Sequence, residues 1–135
     1  MPGRRLESRH VLIVDDDEDI LRSIELALRA EGAETRTATD GNLAVSMVHA
    51  AAPEAVVLDM MLPRRSGFLV LEKIMELDED HRPIVVMVTA NQGRRHMEYA
   101  KSLGVSAYLY KPVALERLVD TVVDLLEAHD DSSGA

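Results

Sequence analysis

Seven residues near the start of the chain decide the fold: Val11-Leu12-Ile13-Val14 followed by Asp15-Asp16-Asp17. The four apolar residues do not alternate with polar ones, which is typical of a strand buried on both faces of a parallel sheet. The three carboxylates come where that strand would end. A buried strand that delivers acidic groups at its end indicates an α/β protein with a site at the carboxyl edge of its sheet.

Four further segments complete the predicted sheet. Ala55–Leu58 and Ile84–Val88 are apolar throughout, and Ala107–Tyr110 is a further apolar run that contains two tyrosines. Glu34–Ala38 is rich in β-forming residues but polar, so we expect it at an edge.

Helical patterns fill the gaps between the strands. Their apolar residues recur at helical spacing, and three of the patterns end next to Gly32, Pro53 or Gly104. The predicted helices are Asp19–Glu31, Asn42–Ala52, Gly67–Leu77, Arg94–Leu103 and Ala114–His129. Five strands alternating with five helices predict a flavodoxin-like (βα)5 three-layer sandwich, with a parallel five-stranded sheet of order 2-1-3-4-5.

The length of 135 residues suits one domain. Residues 1–9 are polar and without periodicity, so they are predicted to be a loose N-terminal tail, and residues 129–135 a C-terminal tail. The domain itself is predicted to span residues 10–128.

Composition excludes several classes of function. The chain has no cysteine, which rules out disulfides and thiolate-bound zinc, and its net charge of −9 argues against binding nucleic acid. No apolar run approaches the length of a membrane span. These features favour a soluble cytoplasmic protein that contacts neither nucleic acid nor membrane. The five histidines have no ligand spacing and are expected at the surface.

Complementary polar groups follow four of the predicted strands: Asp15-Asp16-Asp17, Asp59, Thr89-Ala90 and Lys111-Pro112. Because the carboxyl ends of parallel strands share one edge, these groups should converge. Clustered carboxylates repel one another, and a hard cation such as Mg²⁺, which prefers oxygen ligands, relieves that repulsion. Beside such a cation Asp59 would be a nucleophile toward a phosphoryl group, with Lys111 and Thr89 contacting its oxygens. Each group alone has an ordinary explanation, such as a helix cap at Asp17; their joint occurrence favours the site.

With these motifs the sequence resembles the receiver domains of two-component response regulators, the superfamily of the chemotaxis regulators, over residues 10–128. The matching segments are Val11–Asp17, Val57–Pro63 with Gly67, Val88–Ala90 and Tyr108–Pro112. The resemblance implies that Asp59 is the phosphoacceptor. It implies a Mg²⁺ site, in which Mn²⁺ can substitute, formed by Asp15, Asp16, Asp59 and the backbone carbonyl of Met61.

The same resemblance assigns roles to the remaining site residues. The groups facing the phosphoryl oxygens would be Lys111, Thr89 and the backbone amides of Met60 and Ala90. Tyr108 would be the aromatic residue that moves inward when Thr89 engages phosphate. The residues that shape the loops would be Pro63, Gly67 and Pro112.

The function that this resemblance implies is a phosphorylation-dependent switch. The donor would be a sensor histidine kinase or a histidine phosphotransfer protein. Phosphorylation would change the surface of helix 4, strand 5 and helix 5 to control binding of a downstream protein or a second copy. No turnover of a separate substrate is expected, and a stand-alone receiver is favoured because the chain starts at Met1 and no output domain is visible.

The sequence departs from the family pattern at two places, and three other functions can be weighed against it. Arg64-Arg65-Ser66 lies between Pro63 and Gly67, where many relatives carry an acidic residue just before the glycine, and Val113 replaces a frequent aromatic. One alternative is a metal-dependent phosphohydrolase with an aspartyl nucleophile, although such enzymes commonly carry a second acid two residues after the first. Another is a degenerate receiver used only for docking, which the complete set of site residues disfavours. A flavin site is disfavoured because the Asp triplet would repel phosphate.

Overall fold

The computed structural model describes residues 4–90 and 93–134, and gives the backbone alone for residues 132–134. Residues 1–3 and 135, which belong to the two predicted tails, lie outside the described residues. The strands are β1 (His10–Val14), β2 (Glu34–Ala38), β3 (Ala55–Leu58), β4 (Ile84–Thr89) and β5 (Ala107–Tyr110). The helices are α1 (Glu18–Ala30), α2 (Gly41–Ala50), α3 (Gly67–Met75), α4 (Arg94–Leu103) and α5 (Leu115–Gly134), and a 3₁₀ turn covers Glu79–His81.

The five strands form one parallel sheet of order β2-β1-β3-β4-β5, which confirms the predicted fold class. The polar strand β2 lies at an edge, as its composition predicted. β1 and β3 lie next to each other in register, with Val14 beside Leu58. Asp15 and Asp59, the next residue on each strand, therefore begin neighbouring loops on the same edge.

The apolar strands are buried because helices cover both faces of the sheet. Val11 and Ile13 of β1 pack with α1 and α5, whereas Leu12 and Val14 pack with α2, α3 and α4. The same alternation along β3 and β4 gives two cores separated by the sheet. This arrangement explains why the central strands show no polar alternation in the sequence.

Three of the helices that begin at the carboxyl edge of the sheet, α1, α2 and α3, are capped by side chains from the preceding loops. Asp17 accepts hydrogen bonds from the amides of Asp19 and Ile20, which confirms its predicted role as the cap of α1. Asp40 and Ser66 cap α2 and α3 in the same way. These caps fix where the chain leaves the sheet, and so fix the geometry of the loops that carry the polar residues.

Both ends of the chain are more ordered than the sequence predicted. Leu6 lies in the predicted N-terminal tail, yet it is 1% exposed within the core on the α1–α5 face, and its amide donates to the carbonyl of Glu31. At the other end α5 continues through Gly134, where a tail was predicted, and Arg9 forms a salt bridge with Asp130. A single leucine among polar residues has no periodicity, and the partner of Asp130 is distant in sequence, so neither contact gives a local signal.

The remaining boundaries differ from the predicted ones by one or two residues, and α3 ends at Met75 rather than at Leu77. All five histidines are exposed, as expected. Among the described residues, none of the helices is both long enough and apolar enough to cross a bilayer.

Replacing Leu6 by Ala tests whether residues 4–9 are part of the domain. The buried side chain leaves a cavity in the α1–α5 core, so Leu6→Ala should lower the free energy of unfolding by about 2–4 kcal/mol. Urea denaturation followed by circular dichroism measures the change. Leu26→Ala is the matched control, because Leu26 is 63% exposed and its loss should cost less than about 0.5 kcal/mol. Equal values for the two variants would mean that the N-terminal segment does not hold the fold.

Candidate functional site

Three polar side chains are buried within the described residues, and all three lie at the carboxyl edge of the sheet. Asp15 follows β1, Asp59 follows β3 and Thr89 ends β4, with exposures of 2%, 5% and 0%. Buried carboxylates are rare without partners because burial removes their hydration. The arrangement therefore marks this edge as a site.

Backbone groups orient the two buried carboxylates. The amide of Asp17 donates to Oδ1 of Asp15 at 2.9 Å, and the amide of Met61 donates to Oδ1 of Asp59 at 3.1 Å. The amide of Asp59 donates in turn to the carbonyl of Val14 at 3.0 Å. Each carboxylate is thus held by the loop that follows its own strand, and the two loops are joined through the sheet.

Lys111 links the two carboxylates. Its Nζ lies 2.7 Å from Oδ2 of Asp15 and 3.1 Å from Oδ2 of Asp59. Its amide donates to the carbonyl of Thr89, and the peptide bond that joins it to Pro112 is cis. The ammonium group from β5 therefore reaches across the end of β4 into the acidic cluster.

The protonation behaviour of the site follows from its burial and charges. Burial raises the pKa of Asp59 above its ordinary value, and the nearby charge of Asp15 acts in the same direction. The Met61 amide and the Lys111 ammonium oppose this rise without cancelling it. For Lys111, burial alone would lower the pKa, but the hydrogen bond to Asp15 and the charge of Asp59 outweigh it and raise the pKa. Lys111 is therefore a permanent cation at neutral pH.

The acidic cluster suits a hard divalent cation. Asp15, Asp16 and Asp59 each offer a carboxylate oxygen, and these oxygens lie within 4.8 Å of one another. Asp16 is exposed, so a cation bound there would keep access to water. Three carboxylates against the single ammonium of Lys111 leave an excess of two negative charges when all are ionised. Oxygen ligands, excess negative charge and access to water are what Mg²⁺ requires.

The remaining predicted residues surround this cluster. Met60 is 3% exposed and its neighbour Met61 is 60% exposed, so the loop turns from the core to the surface directly after Asp59. Ala90 is exposed beside the buried Thr89. Tyr108 is half-buried with its hydroxyl 3.9 Å from Sδ of Met60. Burial raises the pKa of Tyr108, and the charges of Tyr110 and Asp59 raise it further.

Two short backbone hydrogen bonds hold the loop between β3 and α3, one joining its two ends and one within it. The amide of Gly67 donates to the carbonyl of Met60 at 2.8 Å, and a Cβ at Gly67 would lie 2.6 Å from Cα of Met60. Pro63 accepts from the amide of Arg65 at 2.7 Å, and Arg64 between them has a φ of 68°. The start of α2 also touches this loop. Asp40-Gly41 is a turn signal in the sequence, but no local pattern indicates which distant segment this turn contacts.

A cleft of about 610 Å³ opens beside Lys111. Its walls are mostly apolar and come from α1, β4 and the segment joining β5 to α5. Ile20, Ile24, Val113 and Leu115 are among the lining residues, with Asp19 and Ser23 from α1. The site therefore has an apolar approach on the α1 side.

Together, the parallel sheet and the lysine-bridged carboxylates define an α/β protein with an acidic site suited to a divalent cation at the carboxyl edge of its sheet. The family model of the response regulator receiver domain matches residues 11–123, and the chain belongs to this family. Receiver domains act in two-component signalling as phosphoacceptors that bind Mg²⁺ in their acidic site and interact with histidine kinases or phosphotransfer proteins.

Solved structures of similar chains agree with this assignment. The CheY-like receiver domain protein from Methanospirillum hungatei JF-1 is 26% identical with a TM-score of 0.88, and the match covers 93% of this chain and 99% of that one. A chain of the CheX-CheY-BeF3-Mg²⁺ complex from Borrelia burgdorferi is 25% identical with a TM-score of 0.82, covering 91% and 97%. The receiver domain of sensor histidine kinase PA1611 from Pseudomonas aeruginosa PAO1, solved with magnesium coordinated in its active site cleft, shares the fold at 24% identity and a TM-score of 0.80, covering 89% and 98%.

Asp59→Asn should stabilise the metal-free protein at neutral pH. Because the folded-state pKa of Asp59 is raised, the folded chain holds this proton more tightly than the unfolded chain, whose pKa is near 3.8. The resulting stability is present below that value and is lost as the pH rises through the folded-state pKa. The variant, which cannot ionise there, should therefore be more stable than wild type at pH 7 and equal to it at low pH.

Urea denaturation of both proteins in EDTA across the pH range measures this difference. Asp124→Asn on the exposed side of α5 is the control and should show no such pH-dependent gain. A wild type that is the more stable protein at pH 7 would show that the bonds of Asp59 to Lys111 and Met61 outweigh its burial.

Proposed function

We propose that this receiver domain accepts a phosphoryl group on Asp59 from a phosphohistidine of a sensor kinase or phosphotransfer protein in the cytoplasm. The observation that carries the proposal is the position of the Asp59 carboxylate. It is buried, lies 3.1 Å from the Lys111 ammonium, and shares a 4.8 Å cluster with oxygens of Asp15 and Asp16. A nucleophile, a fixed cation and a set of metal ligands thus meet at one point.

The transfer requires one bond to form and one to break. A carboxylate oxygen of Asp59 attacks phosphorus, the bond between phosphorus and the histidine nitrogen breaks, and that nitrogen keeps the electron pair. Lys111 retains its proton and its positive charge faces the phosphoryl oxygens. Asp15, Asp16, Asp59 and the Met61 carbonyl would hold Mg²⁺, which supplies Lewis-acid stabilisation of the phosphoryl oxygens when bound. Mn²⁺ prefers similar oxygen ligands and should substitute.

The groups around Asp59 would then bind the oxygens of the added phosphoryl group. Phosphorylation adds about −1.5 to −2 charge and three acceptor oxygens. Thr89 would donate its hydroxyl to one of them, and the amides of Met60 and Ala90 would face the others. Tyr108 would move further inward as Thr89 leaves its position. We propose that this shifts a population of conformations at the surface of α4, β5 and α5.

The cleft beside Lys111 is the proposed approach of the donor. Its apolar walls, including Ile20, Ile24 and Leu115, suit the apolar face of a helix that presents a histidine. Leu115 is 39% exposed, so an apolar partner surface would gain burial there. Lys111, which lines this cleft, lies 3.1 Å from the Asp59 carboxylate.

Turnover of small phosphoesters is not supported by the site. Met60, Met61 and Leu62 follow Asp59, so this loop supplies no second carboxyl to act as a general acid. A docking module without phosphorylation is also not supported, because the acceptor, metal ligands, lysine and threonine are all present at one edge of the sheet.

Incubation with acetyl phosphate or phosphoramidate and Mg²⁺ tests the proposal. Intact mass spectrometry should detect one added phosphoryl group on wild type, none on Asp59→Asn, and a normal yield on Asp124→Asn. EDTA should prevent the reaction, and Lys111→Ala should slow it by on the order of a hundredfold because an oriented cation is lost. Continuous release of phosphate from a simple phosphoester, or full labelling of Asp59→Asn, would contradict the proposal.

Phosphorylation should also promote contact through α4, β5 and α5. α4 carries three basic residues, Arg94, Arg95 and Lys101, against one acid, Glu98. α5 carries one basic residue, Arg117, against six acids: Glu116, Asp120, Asp124, Glu127, Asp130 and Asp131. The two helices of one copy therefore complement those of a second copy in charge. Analytical ultracentrifugation with beryllofluoride, a phosphoryl mimic, should detect a dimer that Arg95→Glu weakens by about tenfold.

Arg22→Glu makes the same charge change on the exposed side of α1 and serves as the control. An equal effect of both substitutions would assign the association to net charge alone. An unchanged monomer mass with beryllofluoride would leave a different downstream protein as the partner of this surface.

A further inference from the structure

We propose that the first turn of α2 positions the metal side of the site, with Gly41 as the positioning residue. This inference rests on the proposed function, because it concerns how the loop that carries Met61 is held for metal binding. Asp40, Gly41 and Asn42 make up this turn, and none of them contributes an atom to the acidic cluster. They act on the loop between β3 and α3 from outside.

The closest contact is between the backbones of Gly41 and Arg65. A Cβ built on Gly41 would overlap the carbonyl oxygen of Arg65, and would lie 2.6 Å from its Cβ and 2.8 Å from its carbonyl carbon. Two of these atoms belong to the backbone, so a flexible side chain cannot absorb the overlap. Any residue other than glycine at position 41 must push the loop away from α2.

Three polar contacts hold the loop in the same place. The amide of Gly41 lies 3.4 Å from the carbonyl of Pro63, and Nε of Arg65 donates to Oδ1 of Asn42 at 3.1 Å. Nε of Arg64 lies 3.6 Å from Oδ2 of Asp40. The loop therefore follows the start of α2 residue by residue, with Arg64 at a left-handed φ of 68°.

The end of the loop next to α3 is also tightly packed. Gly67 packs on the backbone of Asp59 and Met60, and its amide is bonded to the Met60 carbonyl. A displacement at Arg65 is therefore passed along the short path from Pro63 to Met61. The Met61 amide is the group that orients Asp59, and its carbonyl is the proposed metal ligand. Displacing the loop should thus disturb the cation site without touching Asp15 or Asp16.

The test is a Mg²⁺ titration of the full chain followed by ¹H–¹⁵N spectra. Gly41→Ala should weaken Mg²⁺ binding by about tenfold, the size typical of changes behind a metal ligand. It should also shift the amide signals of Met61 and Asp59 before metal is added. Val48→Ala is the matched control, because Val48 is buried on the same helix away from the loop. It should lower stability while leaving Mg²⁺ affinity within about twofold of wild type.

A second pair of variants keeps the test decisive if Gly41→Ala fails to fold. Asn42→Ala and Arg65→Ala each remove the side-chain bond between α2 and the loop, and both should weaken Mg²⁺ binding by about twofold to fivefold, the worth of one hydrogen bond. Unchanged affinity in these variants, or equal losses in Gly41→Ala and Val48→Ala, would overturn the role of α2. Failure of wild type itself to bind Mg²⁺ would instead overturn the proposed function.

Discussion

The structure depends on keeping two buried carboxylates side by side. Asp15 and Asp59 follow adjacent parallel strands in register, so the sheet brings them together regardless of their repulsion. Lys111 offsets part of that repulsion from β5 but leaves the cluster with excess negative charge. Burial raises the pKa of Asp59, and the nearby charge of Asp15 adds to the rise. A bound divalent cation would relieve this repulsion, because it would offset the excess negative charge of the cluster.

The rest of the fold can be understood as support for this arrangement. Two apolar cores, one on each face of the sheet, provide the stability that offsets an unfavourable acidic edge. The caps at Asp17, Asp40 and Ser66 fix the first turns of the helices that border the site. The buried Leu6 and the Arg9–Asp130 salt bridge add stability at a distance from the acidic site.

The loop between β3 and α3 connects the acidic site to the apolar core and to the protein surface. It contributes Met60 to the core and exposes Met61 one residue later. Met60 contacts the Tyr108 hydroxyl, and the amide of Met61 donates to Asp59, so this loop contacts both residues. Its contact with α2 is as tight as its contact with its own start, as Gly41 and Gly67 show. The loop is therefore held from two sides, by the start of α2 and by the start of α3.

The sequence by itself determined the sheet, its order and the meeting of four strand ends, because burial and strand polarity leave a local pattern in residues such as Val11–Val14 and Asp15. Tertiary structure alone decided that Leu6 enters the core, that α5 continues past His129 bound to Arg9, and that Gly41 abuts the Arg65 carbonyl. Each of these is a contact between segments distant along the chain, formed by single residues. Hydrophobic periodicity indicates which face of a helix or strand is buried. It does not indicate which distant atom a single residue will contact.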